Sequence, residues 1–169
     1  MPKYLSVANK LLSFRGAITF TDEHDQTVFD AKGGFAFFSP TWRLKRGDQE
    51  LAAIRKKRLT WVPKWEVKSV LGNFVIKRRV WAITRKYDVV GGKMDGAAIR
   101  GSLFDFNAEI LVRDRPTAKA HAKMLTLRDR YNVELLDPSE DSLVFTAIAM
   151  VVLLLDKKAE AGISGDASD

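Results

Sequence analysis

The stretch SLVFTAIAMVVLLLDKK, residues Ser142 to Lys158, decides the fold of this chain. Its thirteen residues from Leu143 to Leu155 carry no charge, and only Thr146 among them is not apolar. As a helix they rise about 20 Å, which is short against roughly 30 Å of bilayer hydrocarbon, and they are too many for one strand. A helix that is apolar all round must be buried all round. The stretch therefore predicts a central helix that the rest of the chain surrounds, with a membrane-inserted segment as the alternative.

The flanking residues predict where this helix begins and ends. The sequence DPSE precedes it and offers Asp137 as the N-cap, Pro138 at the first helical position, and Glu140 to complete a capping box. The predicted helix covers about residues 139–156. The residues that follow are small, polar and glycine-bearing, which predicts a disordered tail over 157–169.

The chain before the helix repeats itself six times. The segments IRKKRLTWVPKWEV (54–67), IKRRVWAITRKYDV (76–89) and AHAKMLTLRDRYNV (120–133) share a frame of bases, a short apolar cluster, a polar connector and an aromatic residue two positions before a valine. The anchors of the six units are spaced 24, 23, 22, 23 and 21 residues apart: Ile18, Trp42, Trp65, Tyr87, Ile110 and Tyr131. Four to six residues before each anchor comes an apolar pair: Leu12 and Phe14, Ala36 and Phe38, Leu59 and Trp61, Trp81 and Ile83, Phe104 and Phe106, Leu125 and Leu127.

Each unit alternates apolar and polar residues on both sides of its connector. Pairs such as Trp65 with Val67 and Tyr87 with Val89 are typical of half-buried strands. Turn signals separate the strands at residues 22–25, 47–48, 71–73, 91–96 and 113–116. Six units of two strands predict a mainly β fold, in which about twelve antiparallel strands close to hide their edges. The predicted architecture is a closed barrel around the central helix, forming one domain over residues 1–156.

Two of these features resemble a known family. The repeated unit IRKKRLTWVPKWEV looks like that of the LURP-one-related proteins, relatives of the tubby C-terminal domain and the phospholipid scramblases. So does YNVELLDPSEDSLVFTAIAMVVLLLD, with its final strand, acidic cap and hydrophobic helix. The resemblance covers about residues 4–156 and implies a tubby-like barrel of twelve strands around a C-terminal helix. Tubby proteins bind phosphoinositides and scramblases move lipids, but this chain lacks the cysteine cluster and the acidic calcium-binding segment of scramblases.

The composition favours anionic partners. The chain has 28 basic residues against 21 acidic ones, which gives a net charge of +7. Phospholipid surfaces, nucleic acid and acidic proteins all suit such a surplus. The sequence has no cysteine, which excludes disulfides, thiolate metal sites and cysteine nucleophiles. The opening residues MPKYLSVANKLLSFRG lack the apolar run of a signal peptide, so a cytoplasmic location is expected, either free or peripheral at a membrane.

The sequence contains no constellation typical of an enzyme. Its two histidines are His24, in a predicted turn, and His121, on a predicted outward face, and no carboxylates fall at ligand spacing beside either of them. The glycine pairs at 33–34 and 91–92 lack the strand–loop–helix context of a phosphate-binding loop. We therefore predict that the protein is not an enzyme and uses no metal and no cofactor.

Basic residues recur in the repeat frame and are densest at RKKR (55–58) and KRR (77–79). Arg55, Lys57, Lys77 and Arg79 alternate away from the inward apolar positions, so neighbouring hairpins would bring the two clusters together around one phosphate group. We predict that an outward basic band binds anionic phospholipid headgroups or a membrane surface. Its residues are Arg55, Lys56, Lys57, Arg58, Lys77, Arg78 and Arg79.

Three alternatives remain for this band. It belongs to a nucleic-acid-binding module, to a protein-interaction or structural scaffold with no small ligand, or to an ordinary solvated strand face. The absence of a helix-turn-helix or zinc motif weighs against nucleic acid. Trp61, Trp65 and Trp81 occupy apolar positions of the repeat, which predicts core packing, with exposure at a membrane interface as the alternative.

Overall fold

The computed structural model describes residues 1–9, 16–34, 40–102, 107–122 and 130–165. Within them the chain forms twelve strands and one helix, α1 (Glu140–Gly165). The strands are β1 (Tyr4–Asn9), β2 (Ala17–Thr21), β3 (Thr27–Gly33), β4 (Thr41–Arg46), β5 (Gln49–Lys57), β6 (Lys64–Ser69), β7 (Gly72–Arg78), β8 (Lys86–Val90), β9 (Ala98–Ser102), β10 (Asn107–Val112), β11 (Arg115–Ala122) and β12 (Arg130–Leu135).

Every strand pairs antiparallel with its neighbours in the chain, and β1 also pairs with β12. In that closing ladder Leu5 lies opposite Val133, and Val7 lies opposite Tyr131. Because the sheet closes on itself, each strand has a neighbour on both sides, which removes the open edges on which other chains could pair. The predicted closed antiparallel barrel is confirmed.

The anchors of the repeat line the inside of the barrel. They lie in the even-numbered strands, and none is more than 5% exposed: Ile18, Trp42, Trp65, Tyr87, Ile110 and Tyr131. Residues two positions further on, such as Val67 and Val89, are buried as well. The predicted period-two alternation is therefore confirmed in these strands, and it gives the lumen an apolar lining.

Helix α1 fills this lumen. Every side chain from Ser142 to Leu154 is at most 3% exposed, and the ring of Phe145 packs edge-on against Phe74 of β7 at 6.0 Å between centroids. Burial of each large apolar side chain contributes about 1.5–3 kcal/mol. The predicted central helix is confirmed. The strands enclose the apolar stretch for which a membrane-inserted segment was the predicted alternative. Among the described residues, no helical segment combines the length and hydropathy of a membrane span.

The start of the helix differs from the prediction. Glu140 is the first helical residue and Ser139 is the N-cap, because its Oγ accepts a hydrogen bond from the backbone N–H of Ser142 at 3.3 Å. Asp137 and Pro138 precede the cap. The Asp137 carboxylate accepts hydrogen bonds from the hydroxyl of Ser142 and from Ser139, which lower its pKa. The predicted cap at Asp137 and its capping box are therefore wrong, since the Ser139 hydroxyl accepts the hydrogen bond from the third helical N–H.

The helix also ends later than predicted. It continues to Gly165, so the predicted disordered tail is wrong for residues 157–165, while 166–169 lie outside the described residues. Lys157 donates from Nζ to the hydroxyl of Tyr131 at 2.7 Å, and Glu160 binds two arginines of the barrel. These polar contacts hold the helix to the barrel beyond the apolar core.

The barrel has two different ends. At the helix-start end, Arg46 and Lys93 bind the first two helical residues, Glu140 and Asp141. Each predicted turn signal overlaps a connection at this end, although 71–73 and 113–116 extend into the strands that follow. Three of those connections, β4–β5, β6–β7 and β10–β11, consist of two residues each. At the opposite end, which we call the helix-exit end, α1 leaves the barrel and the connections 58–63 and 79–85 are longer.

Candidate functional site

Strand register brings the two predicted basic clusters together on the outer surface. Lys57 of β5 lies opposite Lys64 of β6, and Lys64 lies opposite Lys77 of β7. We call these three residues the lysine row. Directly opposed residues have Cβ atoms about 4.5–5.5 Å apart, and like charges at that separation are destabilising. Three opposed lysines therefore form a surface that gains stability when an anion binds to it.

Two carboxylates neutralise this surface in part. Glu66 accepts from Lys57 Nζ at 3.1 Å, and Asp88 accepts from Arg79 Nε. With Arg55, which lies opposite Glu66, the lysine row and Arg79 make five bases against these two acids. Exposed ion pairs contribute only about 0–1 kcal/mol each, so an incoming anion can replace them at little cost.

The other predicted bases do not belong to an outward band. Lys56 places its Nζ 5.7 Å from the ring centroid of the buried Trp65. Arg78 binds Asp156 of the central helix at 3.0 Å, and Arg58 lies in the connection between β5 and β6. Lys56 and Arg78 follow the inward positions of their strands, so the predicted set divides between the outer surface and the mouth of the barrel.

A buried network that the sequence did not predict holds the helix at this mouth. The carboxylate of Asp156, 2% exposed, accepts hydrogen bonds from the hydroxyl of Tyr87 at 2.6 Å and from Arg78. Glu160, one turn later, binds both Arg78 and Arg85. Burial, with the charge of Asp156, raises the pKa of Tyr87, so its hydroxyl remains a donor at neutral pH. Burial also raises the pKa of Glu160, but the two guanidinium groups outweigh it and lower that pKa.

Two connections of the helix-exit end expose large apolar side chains. Leu59 and Trp61 in 58–63, and Trp81 and Ile83 in 79–85, are fully exposed, and Val80 is half-exposed. We call these five residues the apolar tips. They follow directly on the two strands that carry most of the predicted bases. Leu59, Trp61 and Val80 border the same open pocket, and exposed apolar groups that lie together mark interaction surfaces.

The three tryptophans for which core packing was predicted divide into one buried and two exposed residues. Core packing is confirmed for Trp65 and wrong for Trp61 and Trp81, because these two lie in connections beyond the strands that line the lumen. Four further apolar pairs of the repeat lie wholly outside the described residues: Leu12 and Phe14, Ala36 and Phe38, Phe104 and Phe106, Leu125 and Leu127.

Leu59 combines this exposure with an unfavourable backbone conformation. Its φ is +59°, in the left-handed region that favours glycine. An L-residue with a branched side chain in that conformation costs roughly 1–2 kcal/mol. Neither the conformation nor the exposed side chain stabilises the barrel, and strained residues of this kind concentrate at functional sites.

The two histidines lie apart from this region. His24 is exposed in the β2–β3 turn, and His121 places Nδ1 2.6 Å from Oδ1 of Asn107 on the outer surface. In the part of the chain that the structure describes, no three histidine, aspartate or glutamate side chains come close enough to hold a metal ion.

Comparison with known proteins agrees with the architecture. A family model of LURP-one-related proteins matches residues 4–153 of this chain. The match runs from β1 into the buried part of α1, so it covers the barrel and the helix together. No curated protein and no solved structure matches the chain significantly. The chain therefore belongs to the LURP-one-related family.

Proposed function

We propose that this protein is a non-catalytic module that binds the surface of membranes rich in acidic phospholipids through its helix-exit end. One observation carries the proposal: the apolar tips project beside the lysine row, on the same end of the barrel. Tryptophans suit the membrane–water interface, and lysines and arginines near it attract anionic headgroups.

The free energies of the individual contributions explain why membrane binding needs both the apolar tips and the lysine row. Full burial of one aliphatic tip contributes about 1.5–3 kcal/mol, so insertion of the five tips yields on the order of 10 kcal/mol gross. Loss of translational and rotational freedom costs a similar amount, at roughly 4–15 kcal/mol. Each base near an anionic surface adds about 1 kcal/mol. The tips alone are therefore marginal, and the lysine row makes the binding selective for acidic lipid.

Nucleic acid fits this surface less well. Its phosphates would satisfy the lysine row, and its bases would stack on Trp61 and Trp81. Leu59, Val80 and Ile83 flank these tryptophans in the sequence and are exposed too, and they offer no ring on which a base can stack. A bilayer interface covers aliphatic and aromatic side chains alike, which favours the membrane.

Cosedimentation with vesicles tests the proposal. We expect the protein to bind vesicles of phosphatidylcholine with phosphatidylserine, to release them as salt rises, and to ignore phosphatidylcholine alone. Lys57→Gln, Lys64→Gln and Lys77→Gln together remove about 3 kcal/mol, which weakens binding by roughly 150-fold. Trp81→Ser with Ile83→Ser abolishes it by removing two tips.

Lys68→Gln is the matched control for the charge variant. Lys68 is an exposed lysine of β6 near the helix-start end, where it lies opposite Asn73 and Ala53. It leaves vesicle binding unchanged if the helix-exit end is the binding surface. Duplex and single-stranded DNA are titrated at the same salt concentration. Tighter binding to DNA than to acidic vesicles, or equal losses with Lys68→Gln, contradicts the proposal.

A further inference from the structure

An open cavity of about 690 Å³ lies at the helix-exit end, and three of the apolar tips, Leu59, Trp61 and Val80, help to line it. Trp42 of β4 and Leu155 of α1 form apolar parts of its wall, and Trp61 lines it from the connection between β5 and β6. Its volume falls in the range of about 300–1,000 Å³ that is usual for small-molecule sites. The cavity is therefore large enough for a ligand, and it opens where the proposed membrane surface lies.

Four bases line the same cavity: Lys56, Lys57, Arg58 and Arg78. Lys57 belongs to the outward lysine row and is bonded to Glu66, whereas Lys56 and Arg78 occupy inward positions of their strands and Arg58 lies in the connection 58–63. Arg78 uses Nη1 for its bonds to both Asp156 and Glu160. Since a guanidinium has five N–H donors, Nε and Nη2 still carry donors for a headgroup. An apolar wall and convergent basic groups in one cavity match a ligand that is apolar at one end and anionic at the other.

We propose that this cavity binds one molecule of an anionic amphiphile, with its phosphate or carboxylate head on Lys56, Arg58 and Arg78 and its apolar chain along Trp42, Trp61 and Leu155. This inference rests on the proposed function, because the bilayer at the helix-exit end supplies the ligand. It adds that a single lipid leaves the surface of the membrane and enters the protein.

Neither half of such a ligand satisfies the cavity alone. An inorganic anion would bind the bases but leave the apolar wall in contact with water. A neutral hydrocarbon would cover the wall but make no charge-assisted hydrogen bond to the bases. An anionic amphiphile combines charge-assisted hydrogen bonds with apolar burial, so it gains from both parts of the lining.

The test uses dodecyl phosphate below its micelle concentration, with calorimetry and tryptophan fluorescence as readouts. Trp42 and Trp61 line the cavity, so occupation of the site changes their emission. We expect one molecule to bind per chain, at least about tenfold more tightly than dodecanol, which lacks charged hydrogen bonds of about 1.5–3 kcal/mol each, or than inorganic phosphate, which lacks the apolar burial. If inorganic phosphate binds as tightly as dodecyl phosphate, the bases bind free anions and the proposal is overturned.

Two sets of variants separate this cavity from the membrane surface. Lys56→Met with Arg58→Met removes two headgroup contacts but leaves Arg78 on Asp156, and it weakens dodecyl phosphate binding by about a hundredfold or more. Trp81→Ser with Ile83→Ser changes side chains outside the cavity lining, so vesicle binding is lost and dodecyl phosphate binding stays. Thermal melting checks that each variant folds.

The outcomes distinguish the two proposals. Vesicle binding without any dodecyl phosphate binding overturns the cavity and leaves the membrane surface. Dodecyl phosphate binding by a chain that ignores vesicles supports the cavity and overturns the membrane function. Dodecyl phosphate binding that the Lys56 and Arg58 changes leave intact places the ligand elsewhere and overturns this assignment.

Discussion

The two ends of the barrel place different residues in the same backbone conformation. At the helix-start end a φ of +56° falls on Gly47, where an added Cβ would meet no atom within 4 Å. At the helix-exit end a φ of +59° falls on Leu59, whose side chain is fully exposed. Glycine adopts this conformation at little cost and leucine does not. Asp25, Arg113 and Asp114 also adopt this conformation at the helix-start end, but they are charged, whereas Leu59 exposes an apolar side chain that only an external partner would bury.

The ends also differ in how they hold the helix. At the helix-start end, Asp141 forms an exposed pair with Lys93 at 3.3 Å. At the helix-exit end, the buried Asp156 is bonded to Tyr87 and Arg78. Exposed pairs contribute little, whereas breaking a buried pair leaves a charge without compensation. The attachment at the exit is therefore the one that fixes the helix.

The largest loss of stability is expected from a charge in the middle of the helix, inside the lumen between the two ends. Val152→Asp places an unpaired carboxylate in the filled lumen, at a cost of several kcal/mol against a typical total stability of about 5–15 kcal/mol. We expect loss of the cooperative thermal transition. Val70→Asp, on a half-exposed residue of the β6–β7 turn, is the control and changes stability by about 0.5 kcal/mol or less. A Val152→Asp protein that melts like the native one would refute the lumen assignment.

The same substitution at the two ends then sharpens the comparison. Asp156→Ala leaves the hydroxyl of Tyr87 and the charge of Arg78 without their carboxylate, and we expect it to cost about 3–5 kcal/mol. Asp141→Ala, at the exposed pair, is expected to cost less than about 1 kcal/mol. Urea unfolding of both variants measures the difference. Equal costs would mean that the ends hold the helix alike.

The helix-start end contributes to the stability of the protein through the N-cap of α1. Ser139→Ala removes the hydroxyl that accepts from the backbone N–H of Ser142, and we expect a loss of about 1 kcal/mol in the free energy of unfolding. Glu140→Gln, at the first helical residue, keeps the cap and loses only an exposed pair with Arg46. A loss with Ser139→Ala that is no greater than the loss with Glu140→Gln would contradict the serine cap.

Substitutions at Leu59 and Gly47, which share a left-handed conformation, test whether the exposed leucine serves binding. Leu59→Gly relieves the strained conformation and should stabilise the barrel by about 0.5–1 kcal/mol, while it weakens vesicle binding by removing a tip. Gly47→Leu should destabilise by a similar amount and leave binding unchanged. Unfolding and cosedimentation of the two variants measure both effects. Unchanged vesicle binding by Leu59→Gly would remove this residue from the binding surface.

The smallest effect is a pH dependence at the helix-exit end. The two arginines lower the pKa of Glu160 below its ordinary value of 4.5. A carboxylate with a lowered folded pKa stabilises the protein above pH 4.5, and that contribution is lost as the pH falls through the folded pKa. The difference in unfolding free energy between the native protein and Glu160→Gln should therefore be constant near neutral pH and shrink in acid. A difference that grows in acid would contradict the assignment.

Much of the fold could be predicted because its signals are local. The anchors such as Trp65 and Tyr87 mark inward positions in consecutive strands, and a helix apolar all round has few places to lie. The apolar pairs were misread for a related reason. Trp61 and Trp81 resemble strand residues in their spacing, and hydropathy does not distinguish a side chain that faces the lumen from one kept exposed for another surface.

The candidate site could be predicted only in part, because it depends on contacts between distant residues. The clusters around Lys57 and Lys77 were visible as runs of bases, but Lys64 joins them only through strand register. The network around Asp156 joins residues 69 to 82 positions apart. One signal could have indicated it, since an acid that directly follows a fully apolar helix needs a buried partner.

Closure of the barrel has a consequence for the order in which the protein folds. Strand β1 pairs with β12, and Leu5 lies opposite Val133, so one side of the first strand gains its partner only after almost all of the barrel has been synthesised. The helix that fills the lumen comes later still. A chain emerging from the ribosome therefore carries an unpaired strand and an unfilled apolar lining until α1 arrives. Topologies dominated by such long-range pairing fold slowly and expose aggregation-prone surfaces, so we expect newly made chains to depend on chaperones until the helix is in place.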